Sequence, residues 1–243
     1  MRSILVTGAS RGIGLSIARR LAAGGDRVIA VARKRGAELD DAIAAAAATS
    51  GEIGFKAFDL SEVGAIPAFV KELRGEFGPI FGLVNNAGIG TEGLLATMHN
   101  SQIEALVRLN VLSPIILTKY VARQMMADRA GRIINMSSII ATTGYRGLSV
   151  YGATKAAAAG FTRSLAREVG QLGITVNAIA PGFIETELTG NLSEGDRERI
   201  AGRSALRRLA TPDDVAATVE FLLGEGGTNI TGAVQVIDAG NTA

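Results

Sequence analysis

Short apolar runs rich in Val and Ile alternate along the chain with longer stretches whose apolar positions recur at helical spacing. The apolar runs fall at residues 3–7, 28–32, 55–58, 80–85, 132–136, 175–180 and 234–237. Apolar on both faces, they suit strands of a parallel sheet covered on either side. Segments of helical period lie between them, at 12–23, 37–48, 62–77, 101–127, 149–169 and 213–223. The run Ala44 to Ala48 belongs to a surface helix, because alanine is the strongest helix former and Gly51 follows as a stop. Alternation throughout predicts a single α/β domain over residues 1–243, a doubly wound parallel sheet of about seven strands with helices on both faces.

One stretch breaks the rhythm. From Gly182 to Thr211 the chain turns polar and charged, with Gly190, Gly195 and Gly202, just past the sixth run. Ligands of open α/β sheets bind at the carboxyl ends of strands, so residues 183–210 are expected to form a substrate lid.

Charge narrows the function classes. The net charge of +2 is the balance of 25 basic and 23 acidic residues, which gives no nucleic-acid or membrane-surface signature. With no cysteine, disulfides, thiolate nucleophiles and cysteine-ligated zinc drop out, and a reducing compartment is expected. His99 is the only histidine, placed to start a helix, so a Ser-His-Asp triad would depend on it alone; no metal site is expected. The first apolar stretch meets Gly8 too soon for a secretory signal, and no apolar run approaches the roughly 18–20 residues of a spanning helix. The expectation is a soluble, cytoplasmic protein.

Two motifs carry chemistry. Thr7-Gly8-Ala9-Ser10-Arg11-Gly12-Ile13-Gly14 closes the first strand and opens the first helix, where glycines let backbone N–H groups and the helix dipole meet a pyrophosphate. The second strand ends at Arg33-Lys34-Arg35 with no acid to accept ribose hydroxyls, so Arg33, supported by Arg11, favours the 2′-phosphate of NADP(H). Tyr151-Gly-Ala-Thr-Lys155 opens a helix that Ser149 is expected to cap, and the spacing of four puts both side chains on one face. An ammonium beside a phenol lowers its pKa and makes it usable as acid or base near neutrality. Ser138 ends the fifth strand, where its hydroxyl can hold a substrate oxygen against Tyr151.

Together these residues resemble the short-chain dehydrogenase/reductase family, from Thr7 to Asp238, and within it the 3-oxoacyl-[acyl-carrier-protein] reductases, through Asn85-Asn86-Ala87-Gly88, the stretch 178–186 and Arg207-Arg208-Leu209. The resemblance implies a four-member catalytic set of Asn110, Ser138, Tyr151 and Lys155, with Asn110 keeping a water that links Lys155 to solvent. It also implies cofactor contacts from Gly8, Ser10, Arg11, Gly12, Ile13, Gly14, Arg33, Asp59, Leu60, Asn86, Ala87, Gly88, Pro181, Gly182, Ile184 and Thr186, besides Tyr151 and Lys155. Asp59 would meet the adenine amino group, Asn86 to Gly88 the adenosine, and Pro181 onward the nicotinamide. Ile139, Ile140, Leu148 and Leu188 are expected to line the pocket. The substrate implied is a 3-oxoacyl thioester, presented on acyl carrier protein for fatty acid biosynthesis. The alternatives are another carbonyl (a coenzyme A ester, sugar or small ketone) or a dinucleotide-binding sensor without turnover. Two positions depart from the pattern: Gln171 is neutral where a basic residue beside Arg129 is expected for carrier docking, and Ala239 replaces a second glycine. The helix after Tyr151 carries Ala153, Ala156 to Ala159, Gly160 and Phe161, nearly all round apolar, and is expected to pack on a symmetry mate in a homotetramer.

Overall fold

Seven parallel strands form one sheet in the computed structural model, which describes residues 1–184 and 194–243. They are β1 (Ser3–Thr7), β2 (Arg27–Ala32), β3 (Glu52–Ala57), β4 (Ile80–Asn85), β5 (Gly131–Met136), β6 (Ile174–Pro181) and β7 (Val234–Ile237). The helices are α1 (Gly12–Ala23), α2 (Ala37–Ala46), α3 (Ile66–Phe77), α4 (Asn100–Val107), α5 (Ser113–Asp128), α6 (Ile140–Thr143), α7 (Ser149–Val169), α8 (Glu194–Arg203) and α9 (Pro212–Leu223). Strand order is β3-β2-β1-β4-β5-β6-β7, so the chain winds outward from β1 and then crosses back to β4. That reversal opens a crevice at the carboxyl ends of β1 and β4.

Side chains alternate across the pleat, and both faces are buried. Ile4 and Val6 of β1 join Val28 and Ala30 beneath α1, α2 and α9. Leu5 points the other way, with Ile29, Val31 and Leu83, into a core closed by α3, α5 and α7.

Several expected boundaries move. β3 begins at Glu52, three residues before its apolar run, because an edge strand tolerates polar positions; Glu52 lies opposite Arg27 of β2 and pairs with it. The single long helix expected over 101–127 is α4 and α5 joined by a π-helical turn, Arg108–Leu112. Pro114 has no N–H to give the carbonyl of Asn110 four residues earlier, so the regular ladder is interrupted there. Ser149 does not cap α7: Leu148 holds the cap position and no side chain bonds the end. The polar stretch after β6 contains α8, so what is described of it is a helix as well as loop; residues 185–193, including Thr186 and Leu188, lie outside the described residues.

One expectation about hydropathy is corrected. The continuous helical segment Asn100–Asp128 is long and apolar enough to cross a membrane by length and composition. Here its Leu117, Val121 and Met125 are buried against the sheet in the same core as Leu5.

Candidate active site

A threonine hydroxyl and an asparagine amide anchor the start of the glycine loop. Thr7 Oγ1 donates to the Val84 carbonyl (3.2 Å) and accepts from the N–H groups of Asn86 (2.9 Å) and Ala87 (3.0 Å), tying the ends of β1 and β4 together. Asn86 Nδ2 returns hydrogen bonds to the carbonyls of Thr7 (2.9 Å) and Gly8 (3.2 Å). Gly8 adopts φ +66°, and a Cβ there would stand 2.9 Å from Ala87 Cα. At Gly14 a Cβ would fall 2.3 Å from the Gly8 carbonyl oxygen, so this glycine seats α1 tightly on the loop. The first turn of α1 has no acidic residue and no side-chain cap. A loop of this shape opening onto such a helix end fits a dinucleotide pyrophosphate.

Further out, Arg33 is exposed just past β2. Asp59 accepts from the Ser61 hydroxyl (2.7 Å) and Ser61 N–H (2.9 Å). These bonds, with a smaller contribution from the Arg33 guanidinium, hold its carboxyl below the usual range. Leu60 is buried; Ser10 and Ile13 are half-buried, and Arg11 is exposed.

At the other end of the crevice the expected catalytic side chains converge. Asn110 Oδ1 accepts from Ile89 N–H (2.9 Å), while its Nδ2 donates to the Ile89 carbonyl (2.9 Å) and to Thr154 Oγ1 (3.2 Å). Its side chain is therefore committed to pinning the π-helical turn to the segment after β4 and to α7. Lys155 Nζ donates to the Met136 carbonyl (3.0 Å) and lies 5.6 Å from the Tyr151 ring centroid. Gly88 sits between them: a Cβ there would be 3.1 Å from Asn110 Oδ1 and 3.6 Å from Lys155 Nζ. Beside the lysine, a narrow open cleft is lined by Asn85, Asn110, Pro114, Asn135 and Phe161 among others. Asn85 Nδ2 donates to Asn135 (2.8 Å) and Thr118 (2.9 Å), but its buried Oδ1 has no partner among the described residues.

The electrostatics differ from the sequence expectation. Burial pushes the Tyr151 phenol above its usual value, and the group that draws it back is Ser138, through a hydrogen bond. Lys155 is not among its causes, because the lysine is itself buried and its own pKa falls to about 8. Desolvation disfavours both charged forms.

Sequence reasoning missed three side chains that build this geometry. Thr154 donates to the Tyr151 carbonyl (2.7 Å) while accepting from Asn110, and Ser137 Oγ donates to the Lys155 carbonyl (2.8 Å). Thr7 is the third. Thr7 and Thr154 stand inside the two motifs and Ser137 precedes Ser138, but only tertiary contacts reveal their roles.

Pro181 ends β6 and Gly182 follows it, and Ile184 pairs with Ala210 in an isolated bridge. Ile139 and Ile140 are buried and Leu148 is half-buried. Gly93 N–H donates to the Gly147 carbonyl (3.0 Å), joining two loops that carry exposed Leu94, Leu95 and Tyr145; the Tyr145 ring meets Phe183 edge-on.

The short chain dehydrogenase family profile matches residues 2–197. The 3-oxoacyl-[acyl-carrier-protein] reductases of Salmonella typhimurium and Pseudomonas aeruginosa are 39% and 41% identical to the chain, and each match covers 97% of it and 95% of the relative. Among solved structures, one from Beutenbergia cavernae assigned as an NAD(P)-dependent gluconate 5-dehydrogenase, with NADP bound at low occupancy, superposes with a TM-score of 0.93. That likeness has 29% identity and covers 99% of this chain and 96% of the other.

Proposed function

The chain belongs to the short-chain dehydrogenase family and is an NAD(P)-dependent oxidoreductase, and we propose that it uses NADPH to reduce the ketone of a 3-oxoacyl thioester to a secondary alcohol. The observation that carries this reading is the convergence of Ser138, Tyr151 and Lys155 at the carboxyl ends of the strands, beside the glycine loop. Arg33 and the missing acid after β2 favour the phosphorylated coenzyme. Gly8 to Gly14 would hold its pyrophosphate, Asp59 and Asn86 to Gly88 its adenosine, and Pro181 to Ile184 its nicotinamide, with Thr186 beyond.

When bound, the coenzyme supplies a hydride to the carbonyl carbon. Tyr151 delivers the proton to the oxygen, and its raised pKa keeps it protonated for that task at neutral pH. Ser138 donates a hydrogen bond to the same oxygen. Lys155, held by the Met136 carbonyl, keeps its ammonium below about pH 8 and would place that positive charge near the oxygen on which negative charge develops during the reaction. Asn110 fixes the helix break and Thr154, and through them the first turns of α7.

The apolar loop residues Leu94, Leu95 and Tyr145 suit an acyl chain more than a polyol. A second reading, reduction of another carbonyl, is favoured by the likeness to the gluconate 5-dehydrogenase and by Gln171 in place of a carrier-docking cation. The whole chain would act as one cytoplasmic unit, and the exposed Ala153, Ala156, Ala157 and Gly160 of α7, next to exposed Leu112 and Ile115, would pack on a second copy in a homotetramer.

The test is NADPH consumption with 3-oxoacyl chains on carrier protein, on coenzyme A and on no carrier, beside keto-sugar acids and simple ketones. Thioesters are expected to give the highest kcat/KM. Far better turnover of a keto-sugar acid or a simple ketone would overturn the thioester reading.

A further inference from the structure

We propose that the C-terminal loop, residues 238–242, is a positioning element for the reactive end of the site, organised by the Asp238 carboxylate. The proposal rests on the reading above that places the nicotinamide against the segment after β6.

Asp238 follows β7 directly and is buried. Its Oδ1 accepts from Gly240 N–H (2.8 Å), and its Oδ2 accepts from Thr242 N–H (2.9 Å) and the Thr242 hydroxyl (2.7 Å). Three donors on one carboxylate curl the loop back on itself. Within the curl, Gly240 has φ +77° and Ala239 has φ +56°, a left-handed conformation that a residue with a Cβ keeps only when its surroundings hold it there.

The curled loop grips two separate stretches. On one side, Gly182 N–H donates to the Ile237 carbonyl (2.9 Å), and Gly182 lies so close to Asp238 that a Cβ on it would stand 2.6 Å from Asp238 Cβ. On the other side, the carbonyls of Ala239 and Gly240 accept from Leu206 N–H (3.0 Å) and Ala205 N–H (3.2 Å), and Asn241 Nδ2 donates to buried Ser204 (3.3 Å). Arg207, the next residue in that second stretch, is also left-handed at φ +54°. The backbone at 182 and the backbone at 204–206 therefore stand on the same short loop. Among the described residues, the contacts of Thr7, Asp59 and Asn86 lie elsewhere, with Ser61 and with the ends of β1 and β4.

The experiment compares Asp238→Ala, Thr242→Val and Thr242→Ser in the full chain. It reads NADPH affinity by titration, the emission of the bound dihydronicotinamide, thermal stability, and kcat and KM with whichever carbonyl the wild-type protein reduces. Asp238→Ala is expected to keep NADPH affinity within about threefold, to move the bound emission at least halfway to that of free coenzyme, and to lower kcat about tenfold or more, since small misplacements of reacting groups cost rate steeply. Thr242→Val should lower kcat about threefold by removing one hydrogen bond, and Thr242→Ser should restore it. If Asp238→Ala does not fold, the Thr242 pair decides. Unchanged bound emission and kcat, with only a fall in thermal stability, would overturn the proposal. Emission needs no known substrate, so a wild-type protein that binds NADPH but reduces no thioester would count against the functional reading while leaving this one decidable.

Discussion

The two ends of the crevice are built by opposite means. At the glycine loop, backbone touches backbone: the missing Cβ atoms of Gly8 and Gly14 allow contacts that any larger residue would block, and one threonine hydroxyl ties the strands. At the start of α7, the work falls to buried polar side chains: Lys155 donates to the Met136 carbonyl, and Asn110 bonds the Ile89 backbone and the Thr154 hydroxyl. The first end tolerates no change of shape. The second tolerates changes of shape better than changes of charge or hydrogen bonding, because its effect on chemistry comes from desolvation.

The sharpest division comes from Tyr151→Phe. The ring and its packing remain, so NADPH affinity should stay within about twofold while kcat falls by about 10²–10⁴, the usual worth of a positioned acid. Gly14→Ala should do the reverse. The forced methyl would cost about 1–3 kcal/mol of stability as overpacking, and the thermal stabilisation given by NADPH should shrink with it. Melting curves with and without NADPH would read both effects, and an unchanged pair of curves would contradict the close seating of α1. Smaller still is Arg33→Ala, which removes a charge at an exposed position. It should weaken NADPH about tenfold and leave NADH unchanged, as direct titrations would show.

The same contrast explains what was legible in the sequence. β1, β4 and β7 and helices α1 and α7 lie where the apolar periods place them, because each packs on the sheet in the plainest way. Glu52 to Gly54 of β3 escaped notice because an edge strand needs little apolar character. The π-helical turn was hidden too: Pro114 sits in an apolar run, and its consequence falls four residues upstream at Asn110. Spacing put Tyr151 and Lys155 on one face of α7, but it says nothing of dielectric. Burial raises the phenol and lowers the amine, which is why the expected acidification by the lysine is replaced by a hydrogen bond from Ser138.

That reversal has a measurable sign. Lys155 falls from 10.5 to about 8, so it loses its charge as pH rises through 8. Over the same interval the unfolded chain still binds that proton, and the group's contribution makes folding more favourable between pH 8 and 10.5. A fall in rate there is then chemistry and not unfolding driven by this lysine.

The most direct test is kcat/KM for carbonyl reduction against pH, which reports the free enzyme's own groups. A plateau up to about pH 8 followed by a decline of up to about tenfold per pH unit, with Tyr151 still protonated, is the predicted result. A plateau running unbroken to about pH 10 would contradict the buried, titrating lysine on which the account depends.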